Sequence, residues 1–270
     1  LPDHLRPIAN TWHQLQPDWR HIQHSDDDNS RYIKTYAPGL FDKYSTSFSA
    51  RQRADAARYA YMLADGGVYA DVDVRLLRPL ASLLAAHASA TNVAILAEEP
   101  YEHSILADQK RRRVCNAVLI STQGHPFWRH VIEIIEKRVQ GGEDPVDSTG
   151  PRFLQPLVEQ WRRTNPRGPV IVLKPDVLYP TWDPIQEGTL RERCAMVSRA
   201  ELGGRSQRAR LMAIDQRLRY RLIRRICERL VADGFRPKMH GRPYTDHMWV
   251  HTWIPDLEKK TFDFAPTATD

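Results

Sequence analysis

The hydrophobic and polar positions of the chain alternate between helical and strand periodicity. Apolar residues that recur every three or four positions predict helices, whereas alternating or short continuous apolar runs predict strands. This pattern predicts helices over residues 4–15, 29–37, 49–64, 126–139 and 152–163, and strands over residues 19–23, 67–74, 93–97, 115–121 and 170–173. Helices alternating with strands indicate an α/β fold, and because no internal repeat divides the sequence, we interpret residues 1–270 as one domain.

The boundary between helix 49–64 and strand 67–74 is well marked. Ser49 and Gln52 have the spacing of a capping box at the start of the helix, and the pair Gly66-Gly67 supplies a left-handed stop at its end. Within the helix, Asp55 and Arg58 are three residues apart and therefore share a face. Taken alone, this pair indicates a surface salt bridge.

The strand that follows, "GGVYADVDV" at residues 66–74, carries two carboxylates. Its period of two places Tyr69, Asp71 and Asp73 on the same side. Buried neighbouring carboxylates repel each other and lose hydration, so a divalent cation would offset the cost. Mg²⁺ and Mn²⁺ bind carboxylate oxygens and keep positions open for phosphate. The motif favours a metal-bridged diphosphate, and the competing interpretation is a pair of solvated acids at a sheet edge.

Residues 204–230 depart from this order and read as a basic amphipathic helical insertion. An apolar stripe runs along one side of the predicted helix and arginines cover the rest; the stripe contains Leu211, Leu218, Leu222, Ile226 and Leu230. Two interpretations remain open. The stripe packs on the domain and the arginines are solvated, or the helix binds an anionic membrane surface or an acidic partner.

Charge and cysteine usage narrow the classes of protein. A formal net charge of +6 and a pI near 9.3 allow an anionic ligand without choosing one, and no RNA- or DNA-binding signature is present, so no nucleic-acid partner is expected. The cysteines, Cys115, Cys194 and Cys227, are dispersed and odd in number, which predicts neither a disulfide framework nor a zinc site.

The sequence leaves two locations open. It contains neither a signal peptide nor the roughly 20-residue apolar run that a membrane span requires. Since the chain begins at Leu1 without Met, we expect either a complete cytoplasmic protein or the catalytic part of a membrane-anchored enzyme of the secretory pathway.

The run "ARQRADAARYAYMLADGGVYADVDVRLLRPL" at residues 50–80 closely resembles the sugar-binding region of the Asp-x-Asp glycosyltransferases of family 32. This family includes initiating mannosyltransferases and inositol-phosphoceramide mannosyltransferases, and the clostridial glucosylating toxins resemble it more distantly. The residues that carry the resemblance are Asp55, Arg58, Gly66-Gly67, Tyr69, Asp71 and Asp73. Looser similarities follow at "CNAVLIS" (115–121), "STGPRFL" (148–154) and "DHMWVHTW" (246–253), the last with His247, Trp249 and Trp253 in register.

The resemblance implies a GT-A type nucleotide-sugar-binding fold with a mixed central sheet flanked by helices. It also implies retaining transfer of a hexose from a UDP- or GDP-linked donor to a hydroxyl of a glycan, lipid or protein, with Mn²⁺ or Mg²⁺ as cofactor. The alternative is a non-catalytic module of the same fold that binds a sugar nucleotide or an anionic lipid. Family chains usually open with a strand that helps hold the base. None precedes Leu1, so the chain is a fragment or holds the base in another way.

The resemblance also implies roles for individual residues. Asp73 would ligate the metal, Asp71 the metal or the sugar, and His247 would be the third ligand. His251 is its substitute, because Met248 stands where the family usually has a second histidine. Residues expected to contact the donor are Asp55, Arg58, Tyr69, Asp71, Asn116 and Trp12, among which Arg58 joins Asp71 and Asp73 in catalysis. No side chain is identified as a base, since the leaving phosphate can accept the proton.

Overall fold

The computed structural model describes residues 2–88, 92–165, 168–202 and 214–250 as a mixed α/β chain. Its strands are β1 (Gly67–Ala70), β2 (Val74–Leu76), β3 (Ala94–Glu98), β4 (Val114–Ser121), β5 (Val170–Leu173) and β6 (Thr245–His247). Its α-helices are α1 (Arg6–Leu15), α2 (Asp26–Tyr36), α3 (Phe41–Thr46), α4 (Ala50–Ala64), α5 (Ala81–Ala85), α6 (Pro126–Arg138), α7 (Pro145–Ser148), α8 (Pro151–Thr164), α9 (Pro175–Leu178), α10 (Glu187–Leu202) and α11 (Ile214–Ala232). A π-helix spans Glu102–Ala107. The predicted α/β class is confirmed.

The central sheet has the strand order β1-β4-β3-β5. β4 pairs antiparallel with both β1 and β3, whereas β3 and β5 are parallel. Every residue of β4 is buried, because helices cover both faces of the sheet. Leu119 points into a cluster with Tyr59 of α4 and Trp128 of α6, and its neighbour Val118 points into a second cluster with Tyr179. The expected mixed central sheet flanked by helices is confirmed.

A second, two-stranded sheet pairs β2 with β6 in antiparallel register, with His247 opposite Val74. The pairing is reinforced by a buried ion pair of 2.8 Å between Arg75 and Asp246, and Thr181 donates a 2.5 Å hydrogen bond to the same aspartate. The sequence did not predict β6, since the three residues Thr-Asp-His show no alternation of apolar and polar positions. The two-stranded sheet therefore places His247 opposite Val74, the residue directly after Asp73.

The boundaries predicted for α4 are confirmed. Ser49 accepts a hydrogen bond from the Gln52 amide and Gln52 accepts one from the Ser49 amide, which is the reciprocal pattern of a capping box. The helix ends before Gly66, whose φ of +67° favours glycine. A Cβ at Gly66 would lie 2.4 Å from the Gln123 amide nitrogen, so the absence of a side chain also allows the close approach of that loop.

The strand predicted over residues 67–74 is wrong beyond Ala70. β1 ends there, and Asp71 to Asp73 form a turn in which the Val74 amide donates to the Asp71 carbonyl at 3.0 Å. Val72, expected on the apolar side, is 47% exposed. The chain turns because it leaves the β4 ladder after Asp71 and then pairs with β6. Both carboxylates therefore lie on a turn. The strand predicted over residues 19–23 is also wrong, since that segment has no regular structure.

The helices α10 and α11 are linked by a disulfide between Cys194 and Cys227, which contradicts the prediction of no disulfide. The error arose because α10 was not predicted, so nothing placed these cysteines on neighbouring helices. Ile226 and Leu230 of the predicted stripe are buried and Leu222 is partly buried. Leu218, in contrast, is 58% exposed, and Leu211 lies outside the described residues. The extent of the domain and of the insertion at 204–230 stays a prediction.

Candidate active site

The residues singled out from the sequence meet where β1 ends and β4 begins. Asp55 and Arg58 lie on α4, Asp71 lies on the turn after β1, and Asn116 lies near the start of β4. β6 adds His247 from the far end of the chain. The site therefore combines a local segment of about twenty residues with two distant strands.

Asp71, Asp73 and His247 form a compact cluster. One ligand atom from each of the three side chains lies within 4.8 Å of the others. The Nε2 atom of His247 lies 3.2 Å from the Asp73 Oδ2 atom, and the Val250 amide donates to the same oxygen at 3.0 Å. The Met248 amide also donates to the Asp73 carbonyl at 2.9 Å. The segment after β6 is thus fastened directly to the Asp-x-Asp turn.

The contact between Asp73 and His247 favours a carboxylate beside an imidazolium. Burial opposes ionisation of Asp73, but the charge of His247 and the hydrogen bonds that the carboxylate accepts lower its pKa to about 2. Burial likewise disfavours the imidazolium, yet the neighbouring Asp73 raises the pKa of His247 well above its ordinary value. Without a cation, His247 supplies the positive charge that the Asp73 carboxylate requires.

Trp249 packs against the histidine. Its ring centroid lies 4.0 Å from that of His247, and its indole Nε1 donates to the Thr181 carbonyl at 3.1 Å. The backbone of Trp249 has φ +52°, a left-handed conformation that is uncommon outside glycine. Trp249 also makes an edge contact with His103, with ring centroids 4.7 Å apart. These contacts and the hydrogen bond to Thr181 hold the indole against His247.

Arg58 connects the cluster of Asp71, Asp73 and His247 to α4. Its two terminal nitrogens each lie 3.2 Å from a different oxygen of Asp71, and Nη1 also donates to the Asn116 carbonyl at 2.8 Å. The guanidinium lies over the ring of Tyr69 at 5.0 Å, and the Tyr69 hydroxyl donates to Asp71 at 2.5 Å. A two-pronged pairing of this kind fixes both the position and the rotation of the carboxylate. Asp71 is therefore held in place by Arg58 and Tyr69.

Asp55 and Arg58 do not form the surface salt bridge that the isolated pair indicated, because their side chains are only 11% and 9% exposed. Asp55 accepts hydrogen bonds of 2.8 Å from Asn116 and from Thr149. Burial raises the pKa of Asp55, and the charge of Arg58 and these hydrogen bonds offset part of that rise. Both oxygens of Asp55 thus have protein partners. The carboxylate orients Asn116 through a hydrogen bond and Arg58 through an ion pair of 3.5 Å.

Thr149 was missed as a site residue, although the Thr-Gly-Pro segment that contains it was noted in the sequence. It is fully buried, its hydroxyl donates to Asp55, and its carbonyl accepts a 2.7 Å hydrogen bond from Tyr59.

Trp12, expected at the donor, donates through Nε1 to the Val74 carbonyl at 2.8 Å and so fastens α1 beside the Asp-x-Asp turn. His251 and Trp253 lie outside the described residues.

The chemistry of the cluster fits a divalent cation. Two carboxylates and one imidazole are ligands that Mn²⁺ accepts, whereas Mg²⁺ strongly prefers oxygen ligands alone. Asp73 and His247 are fixed by Val250 and Trp249, and Asp71 is fixed by Arg58, so the ligand atoms converge without a cation to hold them. The residues can hold Mn²⁺ while leaving positions open for phosphate oxygens.

Comparison with known families assigns this part of the chain to a class. Residues 2–90 match the family described as "Glycosyltransferase sugar-binding region containing DXD motif". The matched segment contains α4, β1 and the turn with Asp71 and Asp73. Residues 2–90 are therefore similar to a DXD glycosyltransferase sugar-binding region, and the resemblance predicted from the Asp-x-Asp motif is confirmed.

Particular relatives agree with this class. Mannosyl phosphorylinositol ceramide synthase CSH1 of Saccharomyces cerevisiae is 29% identical over 60% of this chain and 40% of its own length. The initiation-specific alpha-1,6-mannosyltransferase of Candida albicans is 24% identical over 63% of this chain and 51% of its own length. The chain thus spans about half or less of the length of these relatives. The relatives that this chain is similar to are thus named as mannosyl-transferring enzymes.

A solved structure, the PaToxG glycosyltransferase, aligns with 84% of this chain and 82% of its own chain, at 11% identity and a TM-score of 0.37. The described part of the chain has no helix that is both long and apolar enough to cross a membrane.

Proposed function

We propose that this chain is a metal-dependent, retaining hexosyltransferase that moves a sugar from a UDP- or GDP-linked donor to a hydroxyl of a glycan, lipid or protein. The observation that carries the proposal is the convergence of Asp71, Asp73 and His247 beside the buried guanidinium of Arg58. Among hexoses, mannose is favoured, because the relatives are named as mannosyl-transferring enzymes.

In this proposal Asp73 and His247 hold Mn²⁺, and Asp71 contributes the third ligand or binds the donor directly. The bound cation would neutralise the charge that develops on the departing nucleoside diphosphate. Arg58 fixes the rotation of Asp71, and its buried positive charge would add to the attraction of a donor diphosphate held beside Asp71. Asn116 faces the transferring sugar, with its amide oriented by Asp55. The protein thus supplies a rigid set of charges before the donor arrives.

The transfer itself needs no protein nucleophile. As the bond between the anomeric carbon and the phosphate oxygen breaks, the acceptor hydroxyl oxygen bonds to that carbon from the same face. The acceptor proton passes to the departing phosphate oxygen, so the anomeric configuration is retained. The surroundings of Asp55 support this assignment, because the buried carboxylate holds Asn116 and Thr149 through its two oxygens and so has a structural role.

The proposal predicts donor hydrolysis by the purified chain. The chain is incubated with Mn²⁺ and a panel of UDP- and GDP-sugars, and release of nucleoside diphosphate is measured. We expect release from one class of donor, with GDP-mannose the favoured member, and a reduction of at least about a hundredfold in the variant Asp71→Asn, Asp73→Asn. Asp42→Asn, which changes an exposed carboxylate on α3, is the matched control and is expected to retain parental activity.

Two outcomes would count against the proposal in different ways. Donor binding that requires Mn²⁺ but leads to no release, even with alcohol acceptors, would support the non-catalytic binding module. Absence of both release and metal-dependent binding would remove the function altogether.

The disulfide between Cys194 and Cys227 is informative about the compartment in which the protein folds. Disulfides form and persist in oxidising compartments, so the link between Cys194 and Cys227 favours the second of the two locations considered, the lumen of a secretory pathway. The purified protein is denatured without reductant, alkylated and analysed by mass spectrometry. Only Cys115 should be alkylated, because Cys194 and Cys227 are joined by the disulfide. Labelling of all three cysteines would favour a reducing compartment instead.

A further inference from the structure

Helix α11 presents a basic face on the side opposite its buried stripe. Leu218, Arg221 and Arg225 follow one another at intervals of three and four residues, so they share one side of the helix, which we name the outer face. All three side chains are exposed. Arg224 nearby is paired with Glu228 at 2.7 Å, but within the described residues no ion pair is recorded for Arg221 or Arg225. The outer face therefore presents two positive charges to an external partner.

An exposed apolar side chain lies on the outer face beside the two arginines. Leu218 is 58% exposed and is three and seven residues before Arg221 and Arg225, so all three occupy one narrow side of the helix. Arginines flanked by exposed apolar groups are typical of a surface that binds at the boundary between lipid headgroups and acyl chains. A merely solvated face would not require the large apolar side chain of Leu218 to be exposed beside Arg221 and Arg225.

The outer face is firmly connected to the active site. The disulfide joins α11 to α10, and Arg229 of α11 pairs with Glu102 of the π-helix. The next residue of that helix, His103, contacts Trp249, which packs on His247. A chain of direct contacts thus leads from α11 to the metal cluster. A surface that holds the outer face will also fix the distance and orientation of the site relative to that surface.

We propose that the outer face of α11 docks on the surface of a bilayer that contains anionic phospholipid. Arg221 and Arg225 bind headgroup phosphates, and Leu218 enters the boundary beneath them. The docking surface stands on its own observations. Its consequence, that acceptor hydroxyls carried by lipid headgroups are presented to the site, rests on the proposed glycosyl transfer.

Vesicle sedimentation tests the docking surface. The full chain is mixed with vesicles of phosphatidylcholine alone or of phosphatidylcholine with phosphatidylserine, and the bound fraction is measured at low and high salt. Each basic side chain near an anionic surface strengthens binding about fivefold. We therefore expect Arg221→Glu, Arg225→Glu to weaken binding to the anionic vesicles by at least about tenfold. Thermal unfolding of this variant should match the parent, because both side chains are exposed.

The matched control reverses two exposed arginines on α8. Arg162→Glu, Arg163→Glu makes the same change in net charge at a different surface and should retain at least half of the parental binding. An equal loss in both variants would overturn the proposal, since it would reduce the effect to net charge. Binding of a labelled RNA through the outer face, without binding to anionic vesicles, would overturn it as well.

The assay separates this proposal from the proposed function. Vesicle binding is measured without donor, and donor hydrolysis is measured without vesicles. If the chain binds vesicles but hydrolyses no donor, the docking surface is supported and the proposed function is contradicted. If it hydrolyses a donor but binds no vesicles, the proposed function is supported and the docking surface is contradicted.

Discussion

Thr149 donates the hydrogen bond on which the buried carboxylate of Asp55 depends. Thr149→Val keeps the shape of the side chain but leaves one oxygen of Asp55 without a donor. A buried polar group without its partner costs about 1–3 kcal/mol, so we expect the free energy of unfolding to fall by that amount. We also expect donor affinity to fall several-fold, because Asp55 orders both Asn116 and Arg58.

Thr149→Ser separates these effects, because it retains the hydroxyl and loses only a methyl group. Chemical denaturation and titration with a donor should place it between the parent and Thr149→Val. If the serine variant binds donor as weakly as the valine variant, packing of the Thr149 methyl group, and not its hydrogen bond, orders Asp55, Asn116 and Arg58.

His125 gives the folded protein a dependence on pH that is separate from the metal cluster. The side chain is fully buried at the start of α6, where it accepts a hydrogen bond from the Phe127 amide, and burial lowers its pKa to about 4. The unfolded chain binds a proton near the ordinary histidine pKa of about 6.5. The folded state should thus lose stability as the pH falls from about 6.5 to about 4, by about 3 kcal/mol in total, since one pKa unit corresponds to about 1.4 kcal/mol.

His125→Asn tests this contribution, because asparagine caps a helix well and does not titrate. We expect the free energy of unfolding of this variant to change less between pH 7 and pH 4 than that of the parent, whatever its value at pH 7. Parallel curves for the two proteins would show that His125 is not the group responsible.

At the scale of single residues, the sequence was informative where the site is local. Asp55, Arg58, Asp71 and Asp73 fall within nineteen positions of one another, and their spacing along a capped helix and the following strand could be recognised directly. Thr149, at the end of α7, and Asn116, on β4, join them only through tertiary packing. No periodicity along the chain reports such contacts.

Among the elements, the glycine pair after α4 allows a matched comparison. Both glycines have positive φ, but a Cβ at Gly66 would meet the backbone of Gln123, while a Cβ at Gly67 would meet no atom within 4 Å. We expect Gly67→Ala to cost about 1–2 kcal/mol through backbone strain alone. Gly66→Ala should cost at least about 3 kcal/mol, because the strain is joined by overpacking.

Denaturant unfolding of the two variants measures this difference. Equal losses would show that the loop at Gln123 moves away easily and that α4 is not held against it. A large loss at Gly66 together with weaker donor binding would show that this contact also orients the Asp-x-Asp turn.

Element prediction failed where tertiary pairing overrides local pattern. The alternation of "GGVYADVDV" reads as one strand, yet the ladder partner changes from β4 to β6 between Asp71 and Val74, so a turn is inserted. The segment that forms β6 is too short and polar to show any period. The helices α4, α6 and α8 were predicted closely because a long amphipathic or well-capped segment keeps its signal in any context.

At the scale of the whole molecule, the site depends on two sheets that meet at one turn. The central sheet pairs the Asp71 amide with the Ala117 carbonyl, next to Asn116, and the two-stranded sheet places His247 beside Asp73, 174 positions earlier in the chain. The resemblance of the closing motif to family 32 indicated that His247 belongs to the site. Only the β2-β6 register shows how it is brought there, through the buried pair of Arg75 and Asp246.

Asp71, Asp73 and His247 should bind a divalent cation as one site. Electron paramagnetic resonance titration with Mn²⁺ tests it directly, using the parent and the variants Asp71→Asn, Asp73→Asn, His247→Gln and His251→Gln. We predict that the first three variants weaken Mn²⁺ binding by at least about tenfold, a change of about 1.4 kcal/mol, and that His251→Gln binds as the parent does. Parental affinity in His247→Gln, or a loss confined to His251→Gln, would contradict the site described above.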